Sequence, residues 1–299
     1  MAASARLSGR HPWRWTAVAL VIVVAIGVGV YALLHRVRPF VYGSGCTVRT
    51  TLGSKPLDLE QAANSATIAA VAFRKNLPER AAVIAYATAI QESHLRNLPG
   101  GDRDSVGMFQ QRPSQGWGSP EKLRDPVQST SKFFDALVKV KDYLDRDLHD
   151  AAQKVQRSAD GTAYARHEPD GKILARAFTG RQGAAVHCWY PPDDRTAPRR
   201  PEALREMRRN FGARLQVESP LAMLRTNENR AVTATKPSVD AVRVTSTRTG
   251  WAVALWAVTH AQPYGLTEIR HARKRWTADK GHDGWQEDKT APTDRVLIK

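Results

Sequence analysis

Residues 85–118 read AYATAIQESHLRNLPGGDRDSVGMFQQRPSQGWG, and the way the first half of that stretch is taken decides the fold. Apolar spacing predicts a helix over 79–96, restarted by Pro78 and Glu79 and closed by a Gly/Asp/Arg loop at 99–105. On such a helix Ile84, Thr88, Glu92 and Leu95 share one side, because residues three and four apart face together. Glu92 then projects from the C-terminal end of an apolar face. Lost hydration and the negative end of the helix dipole both favour its protonated form there, as a general acid requires. Spacing alone leaves a second reading open, in which Glu92 is satisfied by Arg96 one turn on.

Outward from this helix the same period recurs. Residues 57–75 form an Ala-rich helix with Asp58 as its cap and Glu60 in its first turn, and 126–144 and 151–158 form further helices. No strand–helix–strand alternation appears, so a helical domain is expected over 46–190. Residues 191–230 read as a Pro/Arg-rich linker with a basic helix at 202–211. Beyond it, 231–235 and 241–246 are Val/Thr-rich strands, 250–264 an apolar helix, and 267–276 and 293–298 extended segments. The expected fold class is therefore a mainly α domain followed by a small C-terminal α/β domain at 231–299, the latter without a catalytic role.

Residues 16–34, TAVALVIVVAIGVGVYALL, carry no charge and match the length of one transmembrane helix. Tyr31, His35 and Arg36 crowd the place where a small-x-small cleavage site would stand, which favours a retained anchor over a signal peptide. The expectation is a single-pass protein of the cell membrane, with residues 1–15 as a cytoplasmic arm and the bulk of the chain on the outer side. In such a domain Cys46 and Cys188 are expected to be bridged, with two separate buried thiols as the alternative.

The 299 residues carry 45 Lys+Arg against 29 Asp+Glu, a net charge of +16, which points to nucleic acid, membrane headgroups or an acidic polymer. The excess is uneven. Residues 195–214 hold seven basic and two acidic residues, whereas 39–194 hold twenty and eighteen. Arg199, Arg200, Arg205, Arg208 and Arg209 either hold an anionic polymer or lipid headgroups, or form a solvated helix face. No nucleic-acid-binding signature, phosphate-binding Gly loop or nucleophile elbow is present, so no nucleic acid partner is expected. His94, His149, His167 and His187 lack metal-ligand spacing. His260, His271 and His282 recur every eleven residues without an element that would converge them, so no metal and no cofactor are expected.

Glu92-Ser93 followed by Gly107-Met108-Phe109-Gln110 resembles the Glu-Ser and Gly-Leu-Met-Gln motifs of the lysozyme-like lytic transglycosylases, which cleave peptidoglycan glycan strands. The longer GDRDSVGMFQQRPSQGWG is similar to a group of membrane-anchored actinobacterial proteins carrying this domain, over roughly residues 46–190. The resemblance implies a lysozyme-like fold there, Glu92 as catalytic acid, Ser93 in support and Gln110 reaching the substrate or Glu92. It also implies that Gly107 lets the backbone approach a sugar. Ala163-Tyr164-Ala165 stands where the family carries Ala-Tyr-Asn, which assigns Tyr164 and leaves the Asn missing.

A hydrolase needs a second carboxylate, for which Asp102 and Asp104 are candidates unless they cap a surface turn; a transglycosylase needs one acid/base only. Trp117 and Phe109 are sugar-stacking walls or core residues. Residues 250–299 distantly resemble a C-terminal domain of other actinobacterial cell-wall proteins. Two functions remain: peptidoglycan cleavage, or non-catalytic binding of peptidoglycan, with anionic wall polymers as a further ligand of the arginines.

Overall fold

Two antiparallel sheets flank a core of helices in the computed structural model, which describes residues 20–24, 26–27, 29–30, 43–158, 161–213, 215–218 and 239–299. The first sheet joins β1 (Gly45–Thr50), β2 (Gly53–Leu57) and β3 (Val186–Trp189) in the order β2-β1-β3. Cys46 lies opposite Cys188 in this register, and the two form a disulfide across 142 residues of chain. Between β2 and β3 run α1 (Leu59–Arg74), α2 (Glu79–Ser93), α3 (Pro120–Leu123), α4 (Pro126–Leu137), α5 (Leu148–Gln156), α6 (Thr162–Ala165) and α7 (Glu168–Phe178). Asp58 caps α1 as expected: it accepts from the Gln61 backbone N–H at 2.8 Å, and the Gln61 side chain accepts from the Asp58 N–H at 3.0 Å.

Helix α2 is buried along most of its length from Ala81 to Ile90, and α7 lies directly against it. Gly171 permits that approach, since a Cβ at this position would sit 2.9 Å from the Val83 carbonyl oxygen. The basic helix α8 (Arg200–Phe211) packs Ala203, Leu204, Met207 and Phe211 inward, with Phe211 edge-on to Phe73 of α1. Arg209 binds Asp125, the N-cap of α4. This helix is thus part of the core assembly rather than of a linker over 191–230, because its apolar stripe has a partner.

The second sheet runs β4-β5-β9-β6-β7-β8, built from β4 (Gln216–Glu218), β5 (Asp240–Arg243), β6 (Glu268–His271), β7 (Lys274–Thr277), β8 (Gln286–Glu287) and β9 (Arg295–Ile298). Helix α9 (Thr247–Thr259) is apolar all round, and it is covered on one side by α1 and α7 and on the other by β6 and β9. The short α10 (Ala261–Tyr264) follows it. Trp285 donates to the Val186 carbonyl at 2.7 Å and Trp276 to that of Cys188 at 3.3 Å, stitching the C-terminal segment to β3. Ser44–Lys299 accordingly form one unit, where two separate domains were expected.

Several expectations are corrected. The fold is mixed α/β rather than mainly α, because the stretch expected to be a helical domain contributes the three strands of the first sheet. Those strands are four to six residues long, too short for a period of two to declare itself, and β1 and β2 also contain Gly or Pro. The transmembrane helix over 16–34, and with it the single-pass placement in the cell membrane, is not supported. Among the described residues no helix is long and apolar enough to cross a membrane; residues 16–19, 25, 28 and 31–34 lie outside the described ones. Residues 1–15 and the expected strand at 231–235 lie outside the described residues.

The disulfide generates one prediction: reduction, or Cys46→Ala with Cys188→Ala, lowers the unfolding free energy by about 4 to 5 kcal/mol, measured by denaturant titration with and without reductant. A second comes from His260, which is buried, stacked on Trp256 at 3.8 Å, and held by burial at a pKa of about 4 against an ordinary 6.5. Its folded form binds fewer protons than the unfolded chain between those values, so stability is full above about pH 6.5 and is lost as pH falls toward 4. Urea midpoints across this window should drop, and His260→Gln should flatten the limb.

Candidate active site

Helix α2 stops at Ser93, one turn before the expected end at Arg96. His94 and Leu95 both take positive φ, 54° and 64°, and their N–H groups return to the Ile90 and Ala89 carbonyls at 3.0 Å each. This is a helix-ending turn that normally takes Gly; here the buried Leu95 side chain, 1% exposed, holds it in place. The exit is tied to the start of α1. Gln61 donates to the His94 carbonyl, Asn64 to that of Leu95, and Arg96 pairs with Asp58. Arg96 is therefore committed away from Glu92, and the simple i,i+4 pair is not formed.

The half-buried Glu92 instead meets two donors from distant segments. The Tyr164 hydroxyl donates to its Oε1 at 2.7 Å, and the Gln156 amide donates to the same oxygen at 3.1 Å. Gln156 also donates to the Phe109 carbonyl at 2.8 Å, so the last turn of α5 braces both the carboxylate and the loop that follows α2. Burial and the Glu92 charge both push the Tyr164 hydroxyl far above its ordinary pKa, keeping it a donor. Oε2 of Glu92 carries no hydrogen bond from the described residues.

Ser93 acts beneath this site. Its buried hydroxyl donates to the Met108 carbonyl at 2.7 Å, with the Ala89 carbonyl at 3.2 Å, and so fixes the 97–111 loop to the helix end. Gln110 does not reach Glu92. Its amide donates to the Gly107 carbonyl at 3.0 Å and its oxygen accepts from Ser105 at 2.9 Å, closing its own loop. Gly107, at φ 78°, is required by the Leu123 carbonyl, into which a Cβ would collide; the close approach it serves lies within the protein.

Asp104 accepts from the Arg112 guanidinium at 2.7 Å and from the Ser114 N–H and hydroxyl at 2.7 and 3.0 Å. These donors, the Ser114 backbone first, hold its carboxyl well below the usual carboxylate range and occupy it as a loop brace. Asp102 is exposed beside Arg103. Phe109 is buried and stacked on Phe133 at 4.5 Å, which makes it core rather than a sugar platform. Trp117 is half-buried and lines an open cleft between α4 and α5.

Of the residues named from sequence, the structure brings Glu92 and Tyr164 together, sets Ser93 under them, leaves Asp104, Gly107 and Gln110 in other duties, and places Trp117 on the cleft between α4 and α5. Gln156 was missed, since a polar residue at the end of a short amphipathic helix carries no local signal. Among the described residues no cluster of His, Cys, Asp and Glu suits a metal ion. The chain matches no protein-family model and no curated protein.

Ser93→Ala leaves the buried Met108 carbonyl without its donor and should cost about 1 to 3 kcal/mol of stability, read from chemical unfolding. A change below the error of the measurement would show that the loop is held by other contacts.

Proposed function

We propose that this protein cleaves peptidoglycan glycan strands, with Glu92 as the single acid/base. The observation that carries the reading is the Glu92 carboxyl held at Oε1 by Tyr164 and Gln156, with no hydrogen bond to Oε2 from the described residues. The motif resemblance supplies the substrate class, and the geometry supports the role. In the acid form the proton sits on Oε2, from which it passes to the departing glycosidic oxygen as the C1–O bond breaks. The substrate's N-acetyl oxygen bonds to the anomeric carbon as that bond breaks. The 6-hydroxyl then attacks the same carbon, the bond from that carbon to the N-acetyl oxygen breaks and restores the acetamido group, and the hydroxyl proton passes to Oε2 as the anhydro ring closes.

A single-carboxylate route fits the surroundings better than hydrolysis by two carboxylates. Asp104 is consumed by Arg112 and Ser114, and Asp102 lies exposed on its loop. A second reading, a non-catalytic peptidoglycan binder, is favoured by Gln110 being closed on its own loop and by Ala165 standing where the family carries Asn.

Incubating the full-length protein with purified peptidoglycan should release anhydro-muropeptides, identified by mass. Glu92→Gln should reduce that release by roughly 100-fold or more, the usual span for a lost general acid. Tyr164→Phe should reduce it less, with the fold preserved. Unchanged release in Glu92→Gln would overturn the assignment of Glu92, reducing-end products without an anhydro ring would overturn the transglycosylase route, and binding without any product would establish the second reading.

A further inference from the structure

Many of the described cationic residues are paired internally. Of the five arginines expected to hold an anionic polymer, Arg200 pairs with Asp240, Arg205 with Glu202, and Arg209 with Asp125 and Glu206, Arg199 lies over the Tyr264 ring at 5.8 Å, and Arg208 is exposed with no ion pair among the described residues. Arg80, Arg96, Arg112, Arg181 and Arg270 likewise meet carboxylates. A cluster of cations without such pairing lines the cleft beside Trp117. The cleft is formed by the loop before α3, the outer face and end of α4, and the end of α5, and has a volume of about 720 Å³.

Lys132, Lys139, Lys154 and Arg157 line this cleft, all four are exposed, and none has an ion-pair partner among the described residues. The one carboxylate on its wall, Asp135, is already bound by Lys75 at 2.7 Å. Four like charges converging on one concavity repel one another and lower stability unless an anion is there to receive them. Between them stand the half-buried Trp117 ring and Val138, a bulky apolar side chain left 48% exposed. Cations around an apolar wall match a ligand with both negative charge and a flat apolar face, and the volume lies within the range of multi-ring ligand sites.

We propose that this cleft binds an anionic oligosaccharide, a sugar chain carrying carboxylates, by stacking a ring on Trp117 and pairing its acids with Lys132, Lys154 and Arg157. A sugar chain is favoured over nucleic acid because a single aromatic lines the cleft, whereas strand-binding grooves stack successive bases on several. The buried disulfide adds to this, since such bonds persist where the surroundings are oxidising, apart from most cellular nucleic acid. The proposal stands without the catalytic role of Glu92. The cleft does adjoin that site in sequence, since Lys154, Val155 and Arg157 flank Gln156.

The test is calorimetric titration of the full-length protein with three probes: a hyaluronan hexasaccharide, uncharged chitohexaose, and an eight-residue oligothymidylate. The hyaluronan fragment should bind most tightly and lose affinity as salt is raised. The triple variant Lys132→Ala, Lys154→Ala, Arg157→Ala, all at exposed positions, should bind it roughly tenfold more weakly with no fall in thermal midpoint, since mutual repulsion is relieved. Trp117→Ala should weaken it as well, and Glu92→Gln should not, which separates this site from the proposed catalytic one. Equal affinity in the triple variant, equal or tighter binding of chitohexaose, or tighter binding of oligothymidylate would each overturn the proposal.

Discussion

The close approach of α7 to α2, backbone against backbone at Gly171 and Val83, is the constraint on which the rest of the structure depends. It requires α2 to be clad in small residues, and Ala81, Ala82, Ala85, Ala87 and Ala89 supply that surface. A helix surrounded in this way has a fixed axis and a fixed rotation. Whatever it carries at its last turn is delivered to one place, which is what a catalytic carboxyl requires.

That delivery has two supports. From below, Ser93 anchors the following loop through the Met108 carbonyl, and the α1 side chains Gln61 and Asn64 hold the carbonyls of the helix exit. From the side, α5 and α6 bring Gln156 and Tyr164 to Oε1. Each donor belongs to a different element, so the orientation of Glu92 reports the packing of the whole helical layer. Loss of either donor leaves a half-buried carboxylate incompletely satisfied, a cost that falls on the site and not on the distant core.

The disulfide and α9 act on a larger scale. Cys46–Cys188 closes the first sheet over the entire helical stretch, and the tryptophans Trp276 and Trp285 hydrogen-bond to the same strand from the other side. Helix α9 has no polar face and lies between the helices and the second sheet, so neither layer buries its apolar surface without it. The segment first taken for an appended domain is in this sense structural for the helices. Arg200, Arg205 and Arg209 of α8 are drawn into ion pairs within that assembly, whereas four cations without an ion pair among the described residues line the cleft where α4 and α5 part around Trp117.

What the sequence determined by itself was local: the helices that begin at capped or Pro-marked positions, the apolar helix of α9, and Glu92 at the end of a helix. These follow from hydrogen bonding and side-chain spacing within a few residues, which need no partner to be read. The three strands of the first sheet were not legible, because a four-residue strand is defined by the neighbour that pairs with it. The early stop of α2, Gln156 as the second donor, Gln110 turned onto its own loop, and Gly107 placed against Leu123 were likewise decided only in three dimensions. Each depends on which buried groups of a folded chain must find donors, acceptors and room, and residues far apart in sequence settle that together.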